Sequence, residues 1–199
     1  MDEGRLTNWV RRITFVAILA AVVSTVAVTT ASAQADLRLV SALKNQQSTA
    51  ARALIKQRVD VNAPDADGST PLQWAAHWND LEMVKALLAA GAKPTVANRY
   101  GVTPLHEAAT IGSASVLSAL LRAGAKPDAA YGEGETALML AARSGNVDSV
   151  KLLLEANADV NTAEKFRGQT ALMLAANENH AAVVKALLAA GARPNTRSV

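Results

Sequence analysis

Three histidines, His77, His106 and His180, are the side chains in this 199-residue chain best suited to move a proton or hold a metal near neutral pH. They form no H-E-x-x-H or H-x-x-x-H spacing that would place two imidazoles on one helix face. The stretch "DADG" (65–68) matches the start of a calcium loop, but Ala76 stands where that loop needs its closing glutamate. A second stretch, "YGEGE" (131–135), is glycine-rich yet acidic, and no Lys-Ser/Thr follows to cradle a phosphate. Serines occur, but none lies in G-x-S-x-G or beside a histidine. The chain contains no cysteine, so disulfides, thiolate metal sites and a thiol nucleophile are all excluded. These patterns predict no catalytic residue, no metal and no cofactor.

Composition narrows the class further. Half the residues are apolar but only 4% are aromatic, and alanine, leucine and valine dominate. That balance suits closely packed helices better than a sheet. The pI of about 9.4 suggests a strongly basic protein, but the charge count does not. Beyond residue 33, 17 basic residues face 15 acidic ones, too even a mixture for a nucleic-acid surface.

The first 35 residues read as an address. Arg5, Arg11 and Arg12 precede an apolar run over 13–28, and "TTASAQA" follows. A basic segment, an apolar core and small residues at alternating positions make the pattern of a secretory signal peptide, with cleavage after Ala33 or Ala35. The run is short for a membrane span, though a retained leader would act as an anchor. The alanine-rich core predicts bacterial export to the periplasm or beyond, with no membrane contact once the leader is removed.

What the remaining chain must position is set by a repeat. Thr70, Thr103, Thr136 and Thr170 open near-identical phrases at spacings of 33, 33 and 34. A second phrase, "LLAAGA", "LLRAGA", "LLEANA" and "LLAAGA", ends at Ala92, Ala125, Ala158 and Ala192 in the same step. A fixed period of this size predicts a solenoid in which each unit buries its apolar face only against its neighbours. A worn copy precedes them, since "ALIKQRVDVNA" (53–63) matches "LLLEANADVNT" (152–162).

Each unit reads as two short helices. Thr70 and Thr103 suit the N-cap, with Pro71 and Pro104 at the first helical position. Alanine pairs at 75–76, 108–109, 141–142 and 175–176 leave a face bare enough for close helix approach. Breaks fall at Asn79, Gly112, Gly145 and Asn179, and again at Gly91, Gly124, Asn157 and Gly191, all residues that enter the left-handed region cheaply.

The phrase "TPLHEAA" (103–109), with "TPLQWAA" and two copies of "TALMLAA" at the same period, resembles the ankyrin repeat. The resemblance covers about residues 36–197 and implies an all-α stack of helix–turn–helix units joined by β-hairpin-like finger loops. Five units follow: a degenerate one at 36–66, then 67–97, 98–130, 131–163 and 164–197. It also implies that His106 bonds backbone between units. Arg58 replaces the usual Gly or Asn and predicts strain there. One extra residue predicts a bulge near Glu164–Arg167, and no polar closing helix is evident at the C-terminus.

By the same resemblance the function is non-catalytic binding of a protein partner by a monomer, through a concave face of finger tips and first-helix positions. In this sequence those are Asp67, His77, Trp78, Arg99, Tyr100, Thr110, Ile111, Glu133, Arg143, Phe166, Arg167 and Asn177, with Ser69, Glu135 and Gln169 beside them. Trp78, Arg99, Tyr100 and Phe166 are of the types that dominate binding energy. Trp74 is expected to pack between helices. An alternative role is an accessory or protective subunit for a separately encoded enzyme.

Overall fold

The chain builds helices wherever a polar side chain can close the first turn. The computed structural model describes residues 37–195, and the leader expected at 1–35 lies outside them. Among the described residues the helices are α1 (37–44), α2 (Ser48–Lys56), α3 (Pro71–His77), α4 (Leu81–Ala89), α5 (Pro104–Ile111), α6 (Ala114–Arg122), α7 (Ala137–Ser144), α8 (Val147–Glu155), α9 (Ala171–Asn177) and α10 (Ala181–Ala189). The side chains of Thr70, Asp80, Ser113, Thr136, Asn146 and Thr170 each accept a backbone N–H from the third residue along. His180 makes no such cap at α10. No described helix is long and apolar enough to cross a membrane.

Helices of seven to nine residues cannot persist alone in water, so packing must hold them. The first helices α3, α5, α7 and α9 stack in one layer, and α2, α4, α6, α8 and α10 stack in the layer beside it. Leu87, Leu120, Leu153 and Leu187 line a common seam in the second layer, each with 0% of its surface exposed. Ala76, Ala109 and Ala142 are likewise sealed between first helices. Ala176 is exposed and Leu188 is 44% exposed, because no described element lies over the last pair.

The expected helix ends all adopt the left-handed region. Asn79, Gly112, Gly145 and Asn179 have φ between 54° and 77°, and Gly91, Gly124, Asn157 and Gly191 have φ between 64° and 93°. Arg58 does so too, at 58°, and Gln46 ends α1 at 56°. Both are poor residues for that conformation, so the first unit carries backbone strain that the others avoid.

Ser149 breaks the pattern of the core. Its counterparts in the neighbouring second helices, Met83, Val116 and Val183, are apolar and fully buried. Ser149 is equally buried, and its hydroxyl finds no protein partner. An orphaned hydroxyl costs about 1–3 kcal/mol, and alanine is the better helix former. Ser149→Ala is therefore expected to raise stability by about 1 kcal/mol, read as a higher urea midpoint.

The fingers are held differently from one another. Antiparallel pairing occurs in the third, where β1 (Ala130–Tyr131) meets β2 (Glu135–Thr136), and as a lone bridge between Ala163 and Thr170 in the fourth. In the first two, a side chain pins the turn instead. Asp65 Oδ1 accepts the N–H groups of Asp67 and Ser69, and Asn98 Oδ1 those of Tyr100 and Val102.

Candidate functional site

Position 65 recurs as Asn98, Tyr131 and Glu164 at steps of 33, and in the first, second and fourth fingers its side chain accepts backbone N–H groups of the turn. In the first finger Asp65 also accepts Trp74 Nε1–H through Oδ2 at 3.1 Å. The "DADG" segment is thus a turn whose carboxylate is committed to the fold. Among the described residues no group of three His, Asp or Glu side chains could hold a metal.

Glu164 resolves the extra residue of the fourth finger. Its carboxylate accepts three N–H groups, from Phe166 at 2.6 Å, Arg167 at 2.8 Å and Gln169 at 2.9 Å. A loop one residue longer is spanned by a side chain one methylene longer than aspartate. The Gln169 N–H foremost, with those of Arg167 and Phe166, holds this carboxyl below the ordinary glutamate range. A depressed value means the finger is firmest above the free glutamate pKa and loosens as pH falls through the folded one. Protection of the Phe166, Arg167 and Gln169 amides relative to their free exchange rates is expected to fall on acidification and to be low at all pH values in Glu164→Ala.

His106 does bond backbone, but within its own unit (98–130) rather than between units as the resemblance implies. Its Nε2 lies 2.8 Å from the Ala129 carbonyl, and its Nδ1 accepts the Thr103 backbone N–H at 3.0 Å. Gln73, its counterpart one unit earlier, is the side chain that crosses to the next unit. Its Oε1 accepts the Thr70 N–H at 2.7 Å, and its Nε2 donates to the Val102 carbonyl at 2.6 Å. Two asparagines pin the outer loops in a similar way. Asn62 donates to Gly91 and accepts from Lys93, and Asn161 donates to Gly191 and accepts from Arg193.

Between fingers and first helices run two recesses. The first, of about 250 Å³, is lined by Asp67, Ser69, Gln73, Trp74, His77, Asn98, Tyr100 and Glu107. His77 Nδ1 lies 2.9 Å from Glu107 Oε2 across its floor. The second, of about 280 Å³, is lined by Glu133, Glu135, Arg143, Glu164, Phe166, Arg167 and Gln169. There Glu135 takes the Arg143 guanidinium at 2.5 Å and the Tyr131 hydroxyl at 2.8 Å. Partial burial, then that glutamate, push the Tyr131 hydroxyl up to about 12, so it stays a donor.

Seven of the expected recognition residues meet in these recesses: Asp67, His77 and Tyr100 in the first, Glu133, Arg143, Phe166 and Arg167 in the second. Trp78 lies elsewhere, in a depression shared with Leu43, Gln46 and Ser48, and stacks on Trp74 at 6.4 Å. Arg99 is tied back to the preceding finger, bonding the Ala66 carbonyl and lying 3.4 Å from Asp67. Thr110, whose hydroxyl returns to the His106 carbonyl, Ile111 and Asn177 are exposed but line neither recess.

Sequence reasoning missed Gln73, Asn98 and Glu107. It also assigned Trp74 wholly to packing, whereas the ring packs on the core with one part and walls the first recess with another. A signal existed for Gln73, since glutamine can accept and donate at once as histidine does. None existed for Glu107, which reaches His77 across 30 residues of sequence.

A stack of helix pairs whose fingers and first helices enclose open recesses defines a helical repeat scaffold. A family model described as ankyrin repeats, in three copies, matches residues 39–131 and again 105–198. The chain belongs to the ankyrin-repeat family. Ankyrin repeats generally serve as protein–protein interaction modules and are typically non-catalytic. A comparison with curated proteins finds no match.

Proposed function

We propose that this chain binds a protein partner, non-catalytically and as a monomer, in the groove formed by its two recesses, and that it does so outside the cytoplasm. The observation that carries the reading is the placement of Tyr100 and Phe166. These rings are 62% and 72% exposed, two units apart, each at the mouth of a recess. Aromatic side chains left this open on a rigid frame are the usual anchors of an interface. Export is supported by the basic, apolar and small-residue pattern of residues 1–35.

Capture from an extracytoplasmic fraction tests the reading, with the chain as bait beside Tyr100→Ala/Phe166→Ala. Capture is expected to fall more than about tenfold in the double variant, with the melting temperature unchanged. Undiminished capture, or loss of fold and capture together, would count against the groove. Recovery of the chain in the cytoplasm alone, after fractionation, would remove the export.

A further inference from the structure

The fold contains its own example of a cation seated by this surface. Lys44 Nζ lies 5.2 Å from the centre of the Trp74 ring and 3.9 Å from Asp65, so an aromatic face and a carboxylate together hold an ammonium. Thirty-three residues on, the position of Lys44 is taken by His77, and the neighbouring space is the first recess. Its walls again combine aromatic rings, Trp74 and Tyr100, with carboxylates, Asp67 and Glu107. None of its lining residues is a lysine or arginine. The chain as a whole carries a formal charge of +3, so this acidic mouth runs against the charge of the molecule around it.

We propose that the first recess receives an arginine or lysine side chain of the protein partner, lodged between Trp74 and Tyr100 and paired with Asp67 and Glu107. This rests on the groove being the partner-binding face. Asp67 keeps an oxygen for the incoming cation, because Arg99 approaches the other, Oδ1, from the side of its own finger. Glu107 is half-buried, with Oε2 facing His77 and Oε1 free for the cation, in a setting where desolvation strengthens the pairing. Aromatic faces favour a cation over a neutral or anionic group at the same place.

Selection of random short peptides displayed on phage, against the immobilised full chain, tests this. The expected result is enrichment in arginine and lysine. A synthetic copy of a selected peptide should bind about tenfold more weakly to Asp67→Asn/Glu107→Gln, and its binding to the parent chain should weaken as salt rises more than its binding to the variant does. Circular dichroism checks that the variant folds, and Glu107→Gln alone reads the same contact should the double variant melt early. Neutral or acidic peptides that require Tyr100 and Phe166 but ignore the carboxylates would overturn the inference and leave the groove standing. Peptides indifferent to the two aromatics, or none recovered, would remove both.

Discussion

Leu120→Ala is expected to lower the unfolding free energy by about 3 kcal/mol. Leu120 is fully buried in the seam that runs from Leu87 through Leu153 to Leu187, at the middle unit of the stack. Truncation removes apolar contact and leaves a cavity that short, mutually braced helices cannot close. In a solenoid the loss is felt at two interfaces, because each unit is stable only through its neighbours. The equivalent change at Leu187 has a neighbouring unit on one side only and is expected to cost roughly half as much. Urea unfolding followed by circular dichroism measures both. A central loss below about 1 kcal/mol, or equal losses at the two sites, would mean that the seam does not carry the cooperativity. The central variant should also unfold in two resolved steps, as the halves of the stack lose their coupling.

What could be read in advance followed from repetition. Thr70, Thr103, Thr136 and Thr170 solve one problem four times, the unpaired N–H groups of a helix start, so spacing alone exposed them. The left-handed ends were legible for the same reason, since only Gly and Asn recur at Asn79 and its counterparts. Gln46 escaped because nothing in glutamine announces a positive φ, and its unit is the worn one. Ser149 escaped because a small polar residue at a helical position is compatible with either face until the neighbours are seen.

The groove was less legible than the frame. A recess forms between units, so its lining combines side chains about thirty residues apart, as His77 and Glu107 show. Exposure at a finger tip is likewise a poor guide to what a side chain does there. Arg99 and Tyr100 are adjacent and both exposed, yet one is tied to the preceding finger while the other stands open. The extra residue near Glu164–Arg167 was legible in the spacing, but not that the Glu164 carboxylate organises the loop by accepting three of its N–H groups.

His106→Ala is expected to cost about 3 kcal/mol, while His106→Gln is expected to cost far less and to change how stability responds to pH. The imidazole is 1% exposed and packs edge-on against the Tyr131 ring at 4.9 Å. Alanine would leave a cavity and two polar groups, the Thr103 N–H and the Ala129 carbonyl, without their partner. Glutamine already meets both kinds of demand at Gln73 in the unit before. Burial, opposed by the Ala129 carbonyl and by Glu135, lowers the His106 pKa from 6.5, so the folded state favours the neutral ring. Below that free value the unfolded chain binds the proton more readily, and stability falls as pH drops towards the folded value. The stability contributed by His106 is therefore complete above about pH 6.5 and lost beneath it. His77 and His180 are common to both proteins, so subtracting the His106→Gln profile from that of the parent isolates His106. A difference that is flat between pH 7 and pH 5 would show that the buried imidazole accepts its proton without penalty, and the hydrogen-bonded role given to it here would fall.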